Sequence, residues 1–237
     1  MKNLIVIPTL NEVNNLDFIT NKIFKILATI HILFIDDNSD DGTRKKIRLL
    51  RKKNKKIFFI FRNKRLGIGS AHKEGIKWAY KKKYKICFFM DCDRTHNPII
   101  LRKMLILFKK NYQIIGTSRF LNKESIKDWS FYRKLLTQMR YTLVKFFLGT
   151  NLDSSGGFRA FDLKKVRLSN FLISRNNSYF YLVESMFYFE KMGYKIAEVP
   201  VVLNKRVYGS SKMRIKDIFD ALISLIILFI KKNFSYK

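Results

Sequence analysis

Two carboxylates, Asp91 and Asp93, flank Cys92 directly after the apolar run Ile86-Cys87-Phe88-Phe89-Met90. Hard carboxylate oxygens one residue apart suit Mg²⁺ or Mn²⁺, ions that commonly bridge substrate phosphates. The chemistry this points to is a metal site that grips a nucleotide diphosphate. The triplet also reads as a polar strand end that caps the next helix. Two further polar clusters bear on the choice. Pro8-Thr9-Leu10-Asn11-Glu12 follows one apolar run, and Asp36-Asp37-Asn38-Ser39-Asp40-Asp41-Gly42-Thr43 follows another. A carboxylate such as Asp37 can accept from a nucleobase edge or from ribose hydroxyls, while Asp40 or Asp41 caps the helix that follows. Arg65-Leu66-Gly67-Ile68-Gly69-Ser70 offers a tight turn into a helix N-terminus, which favours anions. Arg206-Val207-Tyr208-Gly209-Ser210-Ser211-Lys212 sets two cations around a small loop, where Arg can grip phosphate oxygens bidentately. Glu184, an acid among apolar and aromatic neighbours, positions a sugar or caps a polar network in the core. No Ser-His-Asp or Cys-His order accompanies the three histidines, His31, His72 and His96. Carboxylates, a metal and arginines fit transfer of a group away from a pyrophosphate, with the cations stabilising the leaving diphosphate.

These groups need a scaffold that brings them to one edge. Apolar strands are expected at 4–7, 32–35, 57–61, 86–90 and 114–117. Helical patterns alternate with them at about 15–29, 41–53, 70–82 and 98–111. Strands alternating with such helices mean βαβ units and a mainly parallel central sheet with helices on both faces. Ligands of such sheets bind at strand C-termini, where all three acidic clusters fall. The second half is less regular. A long amphipathic helix is expected at 129–148, a turn and short strand at 156–161, a helix at 179–192, and a strand at 194–203 interrupted by Pro200. The segment 217–232 is helical and becomes apolar all round between 221 and 230, with Lys231 and Lys232 after it. It is too short to span a bilayer. It docks on the body, binds a small membrane subunit, or lies in a bilayer interface.

A chain of 237 residues, 47% hydrophobic, buries a real core and is not disordered. The net charge of +30 favours nucleic acid, anionic membrane or phosphorylated ligands, although a chain rich in Lys, Ile, Asn and Phe is also what an AT-rich genome yields. Cys87 and Cys92 match no zinc spacing and fit a reduced, cytosolic setting. No charged segment with a cleavable apolar stretch opens the chain, so no export signal is expected.

Taken in order, these motifs resemble family 2 glycosyltransferases of the dolichyl-phosphate or polyprenyl-phosphate mannose synthase group. The matching pieces are 8–12, 36–43, 65–71, 91–98, Ser118-Arg119-Phe120, Gly157-Phe158-Arg159-Ala160-Phe161 and 206–212. Leu10 departs from the Tyr frequent in that group, and Cys92 from its usual Ala. The resemblance implies an α/β nucleotide-sugar-binding fold of Rossmann-like (GT-A) type and a divalent cation, Mg or Mn. It implies GDP-mannose as donor, polyprenyl (dolichyl) phosphate as acceptor, and inversion at the anomeric carbon. By resemblance, Pro8, Leu10, Glu12 and Asp37 hold the nucleoside. Asp91 and Asp93 hold the metal and diphosphate. Arg119, Arg133, Arg206 and Lys212 bind phosphate, and Glu184 stands on the acceptor side. Asp91, Asp93, Arg206 and Lys212 are then the catalytic set. Residues 1–212 form the catalytic domain, and 213–237 add an apolar and basic helix. The protein is expected at the cytoplasmic face of a membrane as a peripheral component. An ionised phosphate acceptor needs charge compensation rather than a strong base. Two alternatives stay open: a UDP-sugar donor, and a glycan hydroxyl acceptor that would need a carboxylate base such as Asp153 or Glu184. A nucleic-acid-binding module is a remote third, since acidic strand ends repel phosphate backbones and no aromatic-basic RNA-binding motif occurs.

Overall fold

The computed structural model describes residues 2–204, 206–209 and 215–234. Strands and helices alternate through the first half: β1 (Asn3–Thr9), α1 (Leu16–Ile26), β2 (His31–Asp36), α2 (Thr43–Lys53), β3 (Ile57–Phe61), α3 (Ile68–Lys81), β4 (Ile86–Phe89), α4 (Ile100–Lys109) and β5 (Ile114–Ser118). There follow α5 (Phe131–Leu148), β6 (Arg159–Asp162), α6 (Leu168–Phe171), α7 (Phe180–Lys191), β7 (Ile196–Pro200) and α8 (Ile215–Phe234). Seven strands form one sheet in the order β3-β2-β1-β4-β6-β5-β7, with β6 antiparallel to both its neighbours and every other pairing parallel.

Alternation along each strand divides the core into two layers. Ile5, Ile7, Ile32, Phe34 and Phe88 face α1, α2 and α4 through Ile19, Ile23, Ile47, Leu101 and Met104. Leu4, Val6, Leu33, Ile35, Cys87 and Phe89 face α3, α6 and α7 through Ala71, Ile76, Phe171 and Phe189. Both faces are covered, which is why the strands read as continuous apolar runs. A third cluster lies away from the sheet, where Val144 and Leu148 of α5 meet Phe180, Val183 and Phe187 of α7 and Leu225 and Leu228 of α8. No helix among the described residues is long and apolar enough to cross a membrane.

Strand β1 runs two residues further than its apolar pattern predicts, through Pro8 and Thr9. Proline lacks an N–H, so it sits in a sheet only where no ladder bond is required. Pairing of β1 with β4 stops at Val6 opposite Phe89, while pairing with β2 continues to Thr9 opposite Asp36. Pro8 therefore lies where β1 has lost its neighbour on one side, and the parting of β1 and β4 opens a crevice at the sheet's C-terminal edge. That is also the point where strand order reverses, the usual ligand crevice of an open α/β sheet. Met90 lies beyond β4, so Asp91 and Asp93 are carried on the turn after the strand rather than at its end. Pro200 terminates β7 instead of interrupting it, facing Ser118 at the last register position. The short helix α6 and a 3-10 turn at Lys123–Ile126 had no periodic signal because neither is long enough to show one.

Candidate active site

The crevice widens into a cleft of about 750 Å³, within the range of small-molecule sites. Its lining includes Pro8, Leu10, Glu12, Asp37, Asp91, Asp93, Arg119, Arg133 and Arg206, nine of the positions singled out from sequence. Glu184 is not among them. It lies on α7 with its carboxylate accepting from Ser174 Oγ at 2.5 Å, so it anchors the loop before that helix. Lys212 lies outside the described residues.

One wall of the cleft is built from the ends of β1 and β2. Asp36 is fully buried and accepts from Ser39 N at 3.0 Å, Ser39 Oγ at 2.5 Å and Arg44 Nε at 2.6 Å, so it fixes the turn rather than facing the cleft. Asp41 accepts from Thr43 N at 2.9 Å and braces the turn into α2, but the N-cap is Gly42 and no side chain of the cluster caps the helix, contrary to the role expected for Asp40 or Asp41. Asp37 does line the cleft, but its two oxygens hold the next loop. They accept from Leu66 N at 2.8 Å and Gly67 N at 2.9 Å, and Arg62 lies 2.8 Å away. Asp37 thereby ties the end of β2 to the start of α3. Gly69 is required there, because a Cβ would stand 2.5 Å from Tyr181 Cβ and 2.9 Å from Ser178 O. Residues 177–181 thus close the cleft against the first turn of α3.

The carboxylate pair at the centre is asymmetric. Asp93 is saturated: Oδ1 accepts from Thr95 N at 3.1 Å and Thr95 Oγ1 at 2.7 Å, and Oδ2 accepts from Arg206 Nε at 3.0 Å and Nη2 at 2.5 Å. Burial opposes its charge, but Thr95 and Arg206 outweigh burial and hold Asp93 below the usual carboxylate range. Asp91 makes no hydrogen bond among the described residues, and its side chain, 37% exposed, opens onto the cleft. Burial pushes Asp91 up, His96 draws it down, and the charge of Asp93 adds to the rise. A cation beside Asp91 would relieve that repulsion. The hard oxygens of Asp91 suit one, although no group of three or more His, Cys, Asp or Glu that could hold a metal ion occurs among the described residues, so phosphate oxygens and water would have to supply most of the ligands. Gly157 preserves the space, since a Cβ there would stand 3.1 Å from Asp91 Oδ1. Thr95 spends its hydroxyl on Asp93. The turn is held by Arg94, whose φ of 64° is unusual for this residue. Its guanidinium lies 4.4 Å from the Phe18 ring and 4.9 Å from the Tyr208 ring, tying the loop that carries Arg206 to α1.

The far wall is cationic. Arg119, expected to be a phosphate ligand, is largely spoken for, with Nε and Nη2 donating to Asp153 at 2.7 and 2.5 Å. Burial disfavours the Asp153 charge, yet Arg119, with Arg140 behind it, holds that carboxyl below the usual range. Arg133 and Arg140 have no carboxylate partner among the described residues. Arg133 lies 3.6 Å from the centre of the Trp129 ring. Arg140 is lowered to about 10, first by burial and then by Arg119. Sequence reading missed Arg140, although the signal was present. It lies two turns after Arg133 on α5, so both project from one face toward the cleft, with Thr137 between them.

A family model described as Glycosyl transferase family 2 matches residues 4–167. Polyprenol monophosphomannose synthase of Mycolicibacterium smegmatis is 26% identical over 226 residues, spanning 94% of this chain and 85% of that protein. Undecaprenyl-phosphate mannosyltransferase of Micrococcus luteus is 26% identical over 226 residues, spanning 95% and 93%. Among solved structures, glucosyl-3-phosphoglycerate synthase from Mycobacterium tuberculosis in complex with Mn²⁺, UDP and glucosyl-3-phosphoglycerate superposes with a TM-score of 0.62 at 17% identity, covering 98% of this chain and 79% of that one. The same synthase with Mg²⁺ and UDP gives 0.63 at 16%, covering 98% and 78%. At these identities the structural likeness speaks for the fold, and the fold is the GT-A type expected from the sequence.

Proposed function

The chain belongs to glycosyl transferase family 2, and from that premise we propose that it transfers a mannosyl residue from a nucleotide sugar to a polyprenyl phosphate, with inversion at the anomeric carbon. The observation that carries the acceptor class is the pair Arg133 and Arg140, two guanidiniums that line the same cleft as Asp91 and have no carboxylate partner among the described residues. A hydroxyl acceptor wants a free carboxylate base. Of the two candidates, Asp153 is locked to Arg119 and Glu184 stands outside the cleft lining. A phosphate monoester, with a second pKa of about 6, arrives ionised and needs cations instead.

In this reading the nucleoside lies against Pro8, Leu10 and Glu12, beside the loop that Asp37 holds in place. Asp91 would hold a divalent cation that neutralises the donor diphosphate, as the Mn²⁺ and Mg²⁺ complexes of the glucosyl-3-phosphoglycerate synthase encourage, whereas Asp93, expected from sequence as a second metal ligand, has both oxygens taken by Thr95 and Arg206. Arg133 and Arg140 orient the acceptor phosphate. One of its oxygens attacks C1 of the sugar, the bond from C1 to the diphosphate oxygen breaks, and the electron pair leaves with the nucleoside diphosphate. Arg206, beside Asp93, sits where that charge develops. GDP-mannose is the favoured donor, and a UDP-sugar is the second reading, since the structural relatives bind UDP. The catalytic unit is 1–212, working at a membrane surface with 213–237 as its membrane-side addition.

The test is an assay with purified protein, a short polyprenyl phosphate, Mg²⁺ or Mn²⁺, and labelled GDP-mannose or UDP-glucose in parallel. Label in the lipid from GDP-mannose, lost in Asp91→Asn, is expected. Label only from UDP-glucose overturns the donor, and no lipid product from any donor overturns the acceptor.

A further inference from the structure

We propose that α5 and α8 together form a membrane-docking face that seats in the headgroup boundary of an anionic bilayer. The inference rests on the polyprenyl phosphate reading for its occupant, but its surface is independent of it. On α5, Phe131, Leu135, Met139 and Phe146 are exposed, and with their neighbours they fall within one arc of about 140° at 100° per residue. On α8, Phe219, Ile223, Ile226 and Ile230 are exposed and fall within an arc of about 60°, which Leu222 and Ile227 widen to about 140°. The opposite edges of both helices, Val144 and Leu148 on one and Leu225 and Leu228 on the other, are buried in one shared cluster. The helices touch: the Phe147 and Phe229 rings lie 5.2 Å apart, and Lys232 Nζ donates to Leu148 O at 3.1 Å. Phe147 and Phe229 lie on the flanks of their helices, between the buried edge and the exposed stripe, so the shared cluster sits on one side of the pair and the two outer stripes turn to the other.

Charge decides what covers this side. Helix α5 carries Arg133, Lys134, Arg140 and Lys145 and no acidic residue. Lys134 and Lys145 border its apolar arc, and Lys231 borders that of α8. A second copy of a chain with net charge +30 would be repelled, whereas an anionic surface is attracted. Apolar stripes flanked by lysines are what an interfacial helix presents to a bilayer. Continuity with the cleft supports the same occupant. Arg133, Thr137 and Arg140, on the other arc of α5, line the cleft. The helix is thus a wall one helix thick, about 10 Å, between the phosphate-binding arginines and the apolar face. A phosphate in the cleft could leave its hydrocarbon chain in the bilayer without lifting it through water.

The test is flotation of the full-length protein with vesicles of mixed phosphatidylglycerol and phosphatidylcholine, comparing wild type with Phe146→Glu/Ile223→Glu. Phe146 is 78% exposed and Ile223 56%, so neither substitution disturbs the core. Wild type is expected to float, less so at high salt, and the double variant to bind at least about tenfold more weakly. Circular dichroism and nucleoside diphosphate binding should be unchanged. Transfer to a vesicle-embedded acceptor should fall in parallel, while transfer to a short, water-soluble polyprenyl phosphate is retained. Equal flotation of the two proteins overturns the proposal. So does a wild-type dimer in sedimentation that the variant converts to monomer, because a second copy then covers the face. Wild-type flotation without transfer to the short acceptor leaves the docking face standing and refutes the acceptor instead.

Discussion

Arg140→Met separates a role in binding from a role in structure. Arg140 is enclosed on α5 beside Arg119 and Arg159, and Asp153 is the one firmly ionised carboxylate they share. Asp153 already accepts two hydrogen bonds from the Arg119 guanidinium, so the positive charge of Arg140 is left over. Holding an uncompensated cation there costs stability, first through burial and then through Arg119. The downward shift to about 10 would convert to roughly 3 kcal/mol at face value; cleft water screens it, leaving on the order of 1 kcal/mol. Replacing Arg140 by an apolar chain of similar length should therefore raise the melting temperature by about 2–4 °C. The same change removes a charged hydrogen-bond donor from the acceptor phosphate. That interaction is worth about 1.5–3 kcal/mol, or about 10–100-fold in kcat/KM. The loss should appear in KM for the lipid phosphate and leave KM for the nucleotide sugar unchanged. Calorimetry and steady-state kinetics on one preparation read both quantities. A variant that melts several degrees lower and keeps its acceptor KM would refute the reasoning, because Arg140 would then be a structural strut for Asp153.

Gly157→Ala tests the space beside Asp91. The new methyl would crowd Asp91 Oδ1 at 3.1 Å, and the carboxylate can yield, so the melting temperature should hold while the divalent cation needed for half-maximal activity rises by about tenfold; an unchanged metal titration would count against Asp91 as the ligand. Glu198 supplies a pH signature. Burial raises it to about 7, the Asp153 amide opposes the rise, and the charge of Asp153 adds to it. The folded state therefore binds a proton that the unfolded chain has already lost, and stability falls as pH rises from about 4.5 through 7. Glu198→Gln keeps an acceptor for the Asp153 amide and removes the titration. Its gain, on the order of 1 kcal/mol after screening, should appear in thermal melts at pH 8 and vanish at pH 5, and equal gains at both would sink the assignment.

The parallel sheet and its site edge were legible because the relevant signals are local. Ile5 and Ile7 against Leu4 and Val6 already declare two buried faces, and each polar cluster follows its strand directly. What escaped was pairing at a distance. Nothing in the spacing of Asp37 says that its oxygens will close on the amides of Leu66 and Gly67, or that Asp93 will be taken by an arginine 113 positions away. Arg119 and Arg140 look equivalent in sequence. Only the fold reveals that Asp153 claims the first and leaves the second facing the cleft. The apolar arc of α8 and the amphipathic character of α5 were visible, but not that the two helices would pack side by side and turn those arcs outward together.

The distribution of paired and unpaired charge gives the cleft its direction. On the proposed reaction two polyanions meet in it, and a uniformly basic cleft would bind either one in either half. Here the donor half holds its acids and bases in matched sets: Asp37 with Arg62, Asp36 with Arg44, Asp93 with Arg206. Among the described residues, Asp91 has only His96 Nδ1 near it, at 3.8 Å, and a carboxylate repels a bare phosphate unless a divalent cation stands between them. The acceptor half is left with surplus guanidinium at Arg133 and Arg140 and repels a cation. A diphosphate bound with its metal therefore prefers the Asp91 side, and a phosphate monoester without one prefers α5. Exchanging the two would put an unscreened phosphate against Asp91 and a metal against arginine. The order of the substrates along the cleft thus follows from which arginines lack acids, and α5 sets that order while turning its apolar side outward.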